Sequence, residues 1–281
     1  MIRLALSDVD GTLLPFGQPH VSERTVAAID AMQRAGVRFG LATGRDWVEL
    51  YRIFRQNAAA FQTGILSNGK KVMVDNELVQ ITLMDHDALQ RLVEVVREYP
   101  GTFVTAYPLE TRIENPVYCI EATAEDVEPW QHDFTFEPLL VDGVPQTDIV
   151  ASTIACPADQ EVMDEIRVRG AQACPEFEFV QPAPHWCDVV PKGLNKGRVL
   201  PVLFDALGVA PDEVVVFGDA ENDLAMLGAV EHSVAVANAT PAAAAAARWH
   251  IGDVADDAVA QALEDIARAA ATGEMPAFMR D

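Results

Sequence analysis

The first 45 residues do most to limit how this chain can fold, because they spell a strand, a helix and a second strand in quick succession. The apolar run Ile2 to Ser7 is closed by Asp8 and Gly11, and reads as a buried strand ending in a tight loop. A helix follows. Ser22 suits its N-cap, Val21 and Val26 occupy the positions of a hydrophobic staple, and Val26, Ile29 and Met32 recur at helical spacing. Gly36 suits the stop. Val37 to Ala42 is a second buried strand, ending at Thr43-Gly44-Arg45. Strands apolar on both faces and joined by a helix form a parallel βαβ unit. Ligands of such sheets collect outside the carboxyl ends of the strands, where Asp8 and Thr43 fall.

A third short run, Thr63 to Ser67, ends at the turn Asn68-Gly69. The texture changes near residue 82. Leu83 to Tyr99 reads as a helix, and strands follow at Thr102 to Tyr107, Tyr118 to Thr123, Ile149 to Cys156 and Phe177 to Val180. A helix at Gln160 to Gln172 interrupts them, giving an α+β insert with an antiparallel sheet. The parallel texture returns after Pro191. Asn195 to Leu207 reads as a helix, Glu213 to Phe217 as a buried strand, Glu221 to Leu227 as a helix and Val234 to Val236 as a short strand. The Ala-rich stretch Pro241 to Arg248 reads as a further helix. The expected architecture is an α/β, doubly wound, Rossmann-like parallel-sheet core with an inserted α+β domain. The core is residues 1–82 and 188–281, and the insert is residues 83–187.

Charge narrows the partners. Lys and Arg total 20 and Asp and Glu total 43, a net charge of −23. A surface of this sign repels nucleic-acid phosphates and anionic membranes, which sets both aside. An anionic substrate would have to be drawn in by a few local groups and a bound cation. Cys119, Cys156, Cys174 and Cys187 form no C-x-x-C pair and read as free thiols of a reducing compartment. The apolar start is too short for a signal peptide and no run spans a bilayer, so the expected location is cytoplasmic. No sequence feature specifies an oligomeric state.

Four clusters carry chemistry. In Asp8-Val9-Asp10-Gly11-Thr12, two carboxylates two residues apart at a strand end share one small site. Such close like charges ionise together only around a cation, and Mg²⁺ suits hard oxygen donors. Gly11 permits a sharp turn and offers backbone N–H groups to an anion. An Asx turn or a calcium loop is the competing reading. The calcium loop lacks its third acid and its closing glutamate. Thr43 and Gly44 make a phosphate cradle, or merely a capped turn. Lys196, in Asn195-Lys196-Gly197, stands at the expected start of a helix, where a cation opposes the helix dipole unless an anion is near. Lys192 competes for that role. In Gly218-Asp219-Ala220-Glu221-Asn222-Asp223, a buried strand delivers acids into a loop that opens a helix, with ordinary capping as the alternative. Each cluster is ambiguous alone. Together they supply acids, a hydroxyl and a lysine at strand ends, an inventory for metal-assisted phosphoryl transfer.

With those residues in place, the sequence resembles the haloacid dehalogenase (HAD) superfamily, most closely its Cof-type, sugar-phosphatase-like hydrolases with a large α/β cap. D-x-D-G-T, T-G-R, the lysine and G-D-x-x-N-D appear in order at Asp8–Thr12, Thr43–Arg45, Lys196 and Gly218–Asp223. Ile65-Leu66-Ser67-Asn68-Gly69 and Asn238-Ala239 match further signatures.

The resemblance implies roles. Asp8 is the nucleophile that forms an aspartyl-phosphate. Asp10 protonates the leaving oxygen and then activates water, and its backbone carbonyl reaches Mg²⁺. Thr43 and the Gly44 amide hold phosphoryl oxygens, as do Gly11 and Asn222. Lys196 neutralises charge on Asp8 and the phosphoryl group, Asp219 is a metal ligand, and Asp223 orients a metal-bound water or Lys196. A cap over the site implies a small phosphorylated metabolite as substrate. His185, Trp186 and Asp188 are conceivable specificity contacts, with a packed hinge strand the preferred alternative. Two departures stand out: Val9 replaces the usual leucine, and Ala258 replaces a glycine near Asp256-Asp257. The competing functions are a phosphomutase or phosphotransferase, and a receiver-like phosphorylatable module, which is ordinarily half this length.

Overall fold

A computed structural model describes residues 1–109, 117–130 and 137–280. The chain opens with β1 (Leu4–Ser7), α1 (Glu23–Arg34), β2 (Arg38–Ala42), α2 (Trp47–Ile53), β3 (Gly64–Leu66), β4 (Lys71–Val74) and β5 (Glu77–Ile81). It continues through α3 (His86–Val96), β6 (Phe103–Pro108), β7 (Val117–Ile120), α4 (Ala124–Val127), β8 (Pro138–Val141), β9 (Ile149–Ala155), α5 (Gln160–Ala173), β10 (Phe177–Ala183) and β11 (Trp186–Pro191). It ends with α6 (Leu200–Leu207), β12 (Val214–Gly218), α7 (Leu224–Ala229), β13 (His232–Ala235), α8 (Pro241–Ala246), β14 (Trp249–His250) and α9 (Ala258–Thr272). Two compact units result: Met1–Ile81 joined with the chain from Asn195 onward, and Thr82–Leu194.

The first unit is built on a sheet of order β14-β13-β12-β1-β2-β3-β4-β5. Strands β14 through β3 are parallel, and β4 and β5 add an antiparallel edge hairpin. The middle of the sheet is buried on both faces. Ala5, Val215 and Phe217 join a core with Ile29 and Met32 of α1 and Leu263 and Ile266 of α9. Leu4, Leu6, Val214 and Val216 alternate with them along the strands and are also buried, so they fill the opposite face. α7 packs against β12 and β13, and α6 against β3 and β4. Each fully buried Val, Leu or Phe contributes roughly 1.5–3 kcal/mol to such a core. The expected cap of α1 is present, with the Ser22 side chain accepting from Thr25 N–H.

In the second unit a six-stranded sheet has order β10-β11-β9-β6-β7-β8. It is antiparallel except for the parallel pair β7–β8. Leu89, Leu92, Val93 and Val96 of α3 and Met163 and Ile166 of α5 pack on one face, against Val104, Ala106, Ile154, Cys187 and Val189. On the other, Trp130 and Val127 pack against Phe103, Cys119 and Ala155.

Several expectations shift. The sequence reading returns the chain to the core at residue 188, but β11 pairs with β9 and β10 through Pro191, so the return falls at Asn195. The helix expected from Asn195 begins only at Leu200. Before it, Asn195 Oδ1 accepts from Arg198 N–H in a turn, and Pro201 then sits in the first helical turn, where its missing N–H does no harm. A Cβ on Gly197 would strike the Ala225 backbone, so this turn lies tight against α7. His185, at φ 69, makes the β10–β11 turn inside the second unit, and Trp186 packs edge-on against Trp130. The Ala258 substitution is harmless: the left-handed residue is Asp257, at φ 55, and Ala258 is the first residue of α9. Helices α2 and α9 and the β4–β5 hairpin were not anticipated.

Candidate active site

Register brings the predicted residues together. Ser7 is level with Phe217 on one side and Leu41 on the other. The residues just beyond, Asp8 after β1, Asp219 after β12 and Thr43 after β2, therefore emerge side by side. Asp8 N–H donates to Phe217 C=O at 2.9 Å, and Thr43 N–H to Ile65 C=O at 2.9 Å, which fixes these exits.

Lys196 lies at the centre, with 0% of its surface exposed. Its Nζ donates to Asp8 Oδ1 and to Asp223 Oδ1, both at 2.7 Å. It therefore serves as counter-ion to two carboxylates, without the helix-start geometry expected for it. Burial alone would lower its pKa, but Asp8 and Asp223 outweigh that and raise it. Asp223 gives its second oxygen to the N–H groups of Asp219 and Ala220, at 3.0 and 3.1 Å. Capping and lysine orientation thus coexist in one side chain.

Asp8 is pushed up to about 7, chiefly by burial, with Lys196 pulling the other way and Asp223 and Asp219 adding to the rise. Asp219 is pushed up to about 6, again by burial first, while the Thr12 hydroxyl that donates to its Oδ1 at 2.7 Å opposes the shift. One carboxylate oxygen from each of Asp8, Asp219 and Asp223 lies within 4.8 Å of the others. This buried acidic triad can hold a divalent metal. Because Asp223 spends both oxygens on Lys196 and two amides, Asp8 and Asp219 are the carboxylates best placed as ligands. Burial raises both pKa values first and neighbouring carboxylates add to the rise, and a bound cation would favour the ionised forms.

Gly11 works through its backbone conformation. Its φ is 80, and a Cβ there would collide with the Asp219 carboxylate. Its own N–H donates to Leu14 C=O at 2.9 Å. Thr43 is fully buried and its Oγ1 accepts from Arg45 N–H at 3.1 Å. Gly44 lies beside Asn68, whose Oδ1 accepts from Asn222 Nδ2 at 3.3 Å, so Asn222 also reaches this side.

Three contributors had no role in the sequence reading. Arg45, quoted only within its motif, grips Asp10 through two bonds of 2.7 Å and meets Glu49 at 3.3 Å. Glu49 also caps α2 by accepting from Asp46 N–H at 3.0 Å. Asn238 donates to Gly11 C=O at 2.7 Å and accepts from Val254 N–H at 3.0 Å, pinning the loop after β1 to the Val254 segment. The motifs flagged Arg45 and Asn238, but only the folded loops reveal what they hold.

These acids and this lysine thus stand together at the carboxyl ends of a parallel α/β sheet. The chain belongs to the haloacid dehalogenase-like hydrolase family, whose profile matches residues 5–263, and it is therefore an enzyme. It is similar to the 5-amino-6-(5-phospho-D-ribitylamino)uracil phosphatase YbjI of Escherichia coli (strain K12), being 25% identical over 254 residues that cover 89% of this chain and 91% of YbjI. Its fold is also that of a solved Eubacterium rectale protein (TM-score 0.81, 24% identity, covering 94% of this chain and 98% of that one). The HAD subclass IIB sugar phosphatase BT4131 shares it as well (TM-score 0.73, 19% identity, covering 93% and 98%). Among the described residues no helix is long and apolar enough to cross a membrane, and all four cysteines are free and buried.

Proposed function

We propose that this enzyme is a magnesium-dependent, cytoplasmic phosphatase that hydrolyses a small phosphate monoester through an aspartyl-phosphate on Asp8. The observation that carries the reading is the buried pair of Asp8 and Lys196 at 2.7 Å, set at the carboxyl end of the central strand. A carboxylate that is 4% exposed and held by a lysine is a poor surface group but a well-aimed nucleophile.

Asp8 attacks phosphorus while Lys196 balances its charge and that of the phosphoryl oxygens. Thr43, the Gly44 amide and Asn222 hold those oxygens. Asp10 gives a proton to the leaving oxygen and later takes one from water. Mg²⁺, when bound by the Asp8 and Asp219 carboxylates and the Asp10 carbonyl, supplies positive charge that lets an anionic substrate approach a chain of net charge −23. Asp223 positions Lys196 and the Asp219 loop. The names of two relatives support the substrate class: YbjI is named for a phosphoribitylamino-uracil, and BT4131 is described as a sugar phosphatase.

The test is Asp8→Asn. The variant should fold and bind Mg²⁺ yet release no p-nitrophenol from p-nitrophenyl phosphate. Turnover near wild type would end the mechanism. Inorganic phosphate released with no acceptor present separates a hydrolase from a mutase, and a panel of phosphorylated metabolites assayed with Mg²⁺ and with chelator would identify the substrate.

A further inference from the structure

The turn Ser67–Gly69, between β3 and β4, touches three of the loops that carry the candidate site. Ser67 N–H donates to Arg45 C=O at 3.0 Å and Asn68 N–H to Thr43 C=O at 2.9 Å, so its main chain runs bonded along the Thr43–Arg45 loop. On the next side, a Cβ at Gly69 would stand 2.8 Å from the Asn195 carbonyl oxygen. Glycine is therefore what lets the turn press against the residue before Lys196. On the third side, Asn68 Oδ1 accepts from Asn222 Nδ2 at 3.3 Å. All of these residues belong to the first unit.

The backbone of Asn68 is left-handed, at φ 55 and ψ 34. Asparagine tolerates that conformation and glycine adopts it freely, so the turn by itself would be served at least as well by glycine. The asparagine side chain adds two contacts that a turn does not need. Its amide lies against the open face of Gly44, where a Cβ would stand 3.1 Å from Nδ2 and 3.5 Å from Oδ1. It also holds Asn222 across 154 positions of sequence. Asn222 is exposed and sits in the short turn before α7, and a loose amide side chain there would lose rotamer freedom each time it bound an anion. A tether to Asn68 meets that cost before the ligand arrives.

Building on the phosphatase reading, we propose that Asn68 is a positioning residue of the phosphoryl site: its side chain, laid against Gly44, holds Asn222 so that the Gly44 and Asn222 amides serve the same phosphoryl oxygens. The test is steady-state kinetics with p-nitrophenyl phosphate and Mg²⁺, with inorganic phosphate as competitive inhibitor, on the wild type, Asn68→Gly, Asn222→Ala and the double variant. Asn68→Gly keeps the left-handed turn and its main-chain bonds, so Tm should stay within about 3 °C of wild type. KM and the phosphate inhibition constant should each rise about threefold to tenfold, the size of one lost neutral hydrogen bond, and by more than kcat falls. Asn222→Ala should raise both constants at least as far. Because Asn68 acts through Asn222, adding Asn68→Gly to Asn222→Ala should then change them by less than about twofold. Unchanged constants in Asn68→Gly, or in Asn222→Ala, overturn the proposal, and so do effects that multiply in the double variant. If Asn68→Gly does not fold, Asn68→Asp decides: it tolerates the same turn and sets a negative charge beside Gly44, so it should raise the phosphate constant by about tenfold, and no rise would overturn the role. A wild type that releases no p-nitrophenol would sink the phosphatase reading together with this role, whereas wild-type turnover with a silent Asn68→Gly would sink only the role of Asn68.

Discussion

Replacing Lys196 by Met tests the electrostatic centre of the site. Methionine nearly matches the lysine stem in length and keeps the apolar contacts, so the change removes mainly the charge and its two 2.7 Å bonds to Asp8 and Asp223. Both carboxylates stay buried, at 4% and 0% exposure, and face each other without a counter-ion. Removing one partner from a buried ion pair costs about 3–5 kcal/mol. The sign of the pH dependence follows from Asp8. Its folded-state pKa is already raised, to about 7, above the ordinary 3.8, so its stabilising contribution is complete below pH 3.8 and is lost as pH climbs through 7. Without the pull of Lys196 that loss deepens and extends to higher pH. At pH 5 the folded variant can keep a proton on Asp8 and has less need of the missing cation, whereas at pH 8 it must ionise or hold a proton against solution. Urea unfolding with chelator present, followed by tryptophan fluorescence, should show destabilisation of about 3–5 kcal/mol at pH 8 and less than half of that at pH 5. Equal destabilisation at both pH values, or a larger one at pH 5, would refute the reasoning. Turnover should fall about 10²–10³-fold, the usual loss when a charge stabilising the transition state is removed.

Other consequences are as direct. Asp8 and Asp219 are pushed up to about 7 and about 6, chiefly by burial, so Mg²⁺ should raise Tm more at pH 8 than at pH 5, and an equal rise at both would show that other groups bind the ion. Gly11→Ala forces a Cβ into the Asp219 carboxylate at φ 80; it should destabilise by about 1–3 kcal/mol and weaken Mg²⁺ binding, both measurable in one melting series with and without the ion. Asn238→Ala deletes the bridge between Gly11 C=O and Val254 N–H; a loss of about 1–3 kcal/mol together with lowered kcat is expected, and an unchanged melt would show the bridge to be ornamental.

The parallel core was legible because strands buried on both faces must be apolar throughout, as β1 and β12 are, and because helix caps such as Ser22 act locally. The hairpin β4–β5 was not, since Leu78 and Val79 lie exposed on an edge strand and give no clean alternation. Short α2 lacks the length for a clear helical period, although its capping box, Asp46 followed three residues later by Glu49, is written in the sequence. The end of the second unit falls later than residue 188 because β11 pairs with β10 in a hairpin and with β9 across an intervening helix, and pairing leaves no mark on composition.

The candidate site divides along the same line. Chemistry at strand ends is written in short motifs, so Asp8, Asp10, Thr43, Asp219 and Asp223 could be marked from residue type and spacing, while the family resemblance singled out Lys196 over Lys192. Their partnerships were not written there. Lys196 meets Asp8 across 188 positions and Asp223 across 27, and Arg45 meets Asp10 across 35. Those pairings depend on the register of β1 between β2 and β12 and on how tightly the Lys196 turn packs against α7. Sequence determines which groups a strand end carries. Only the folded sheet decides which of them share one buried volume, and burial is what turns an ordinary aspartate and lysine into a poised pair.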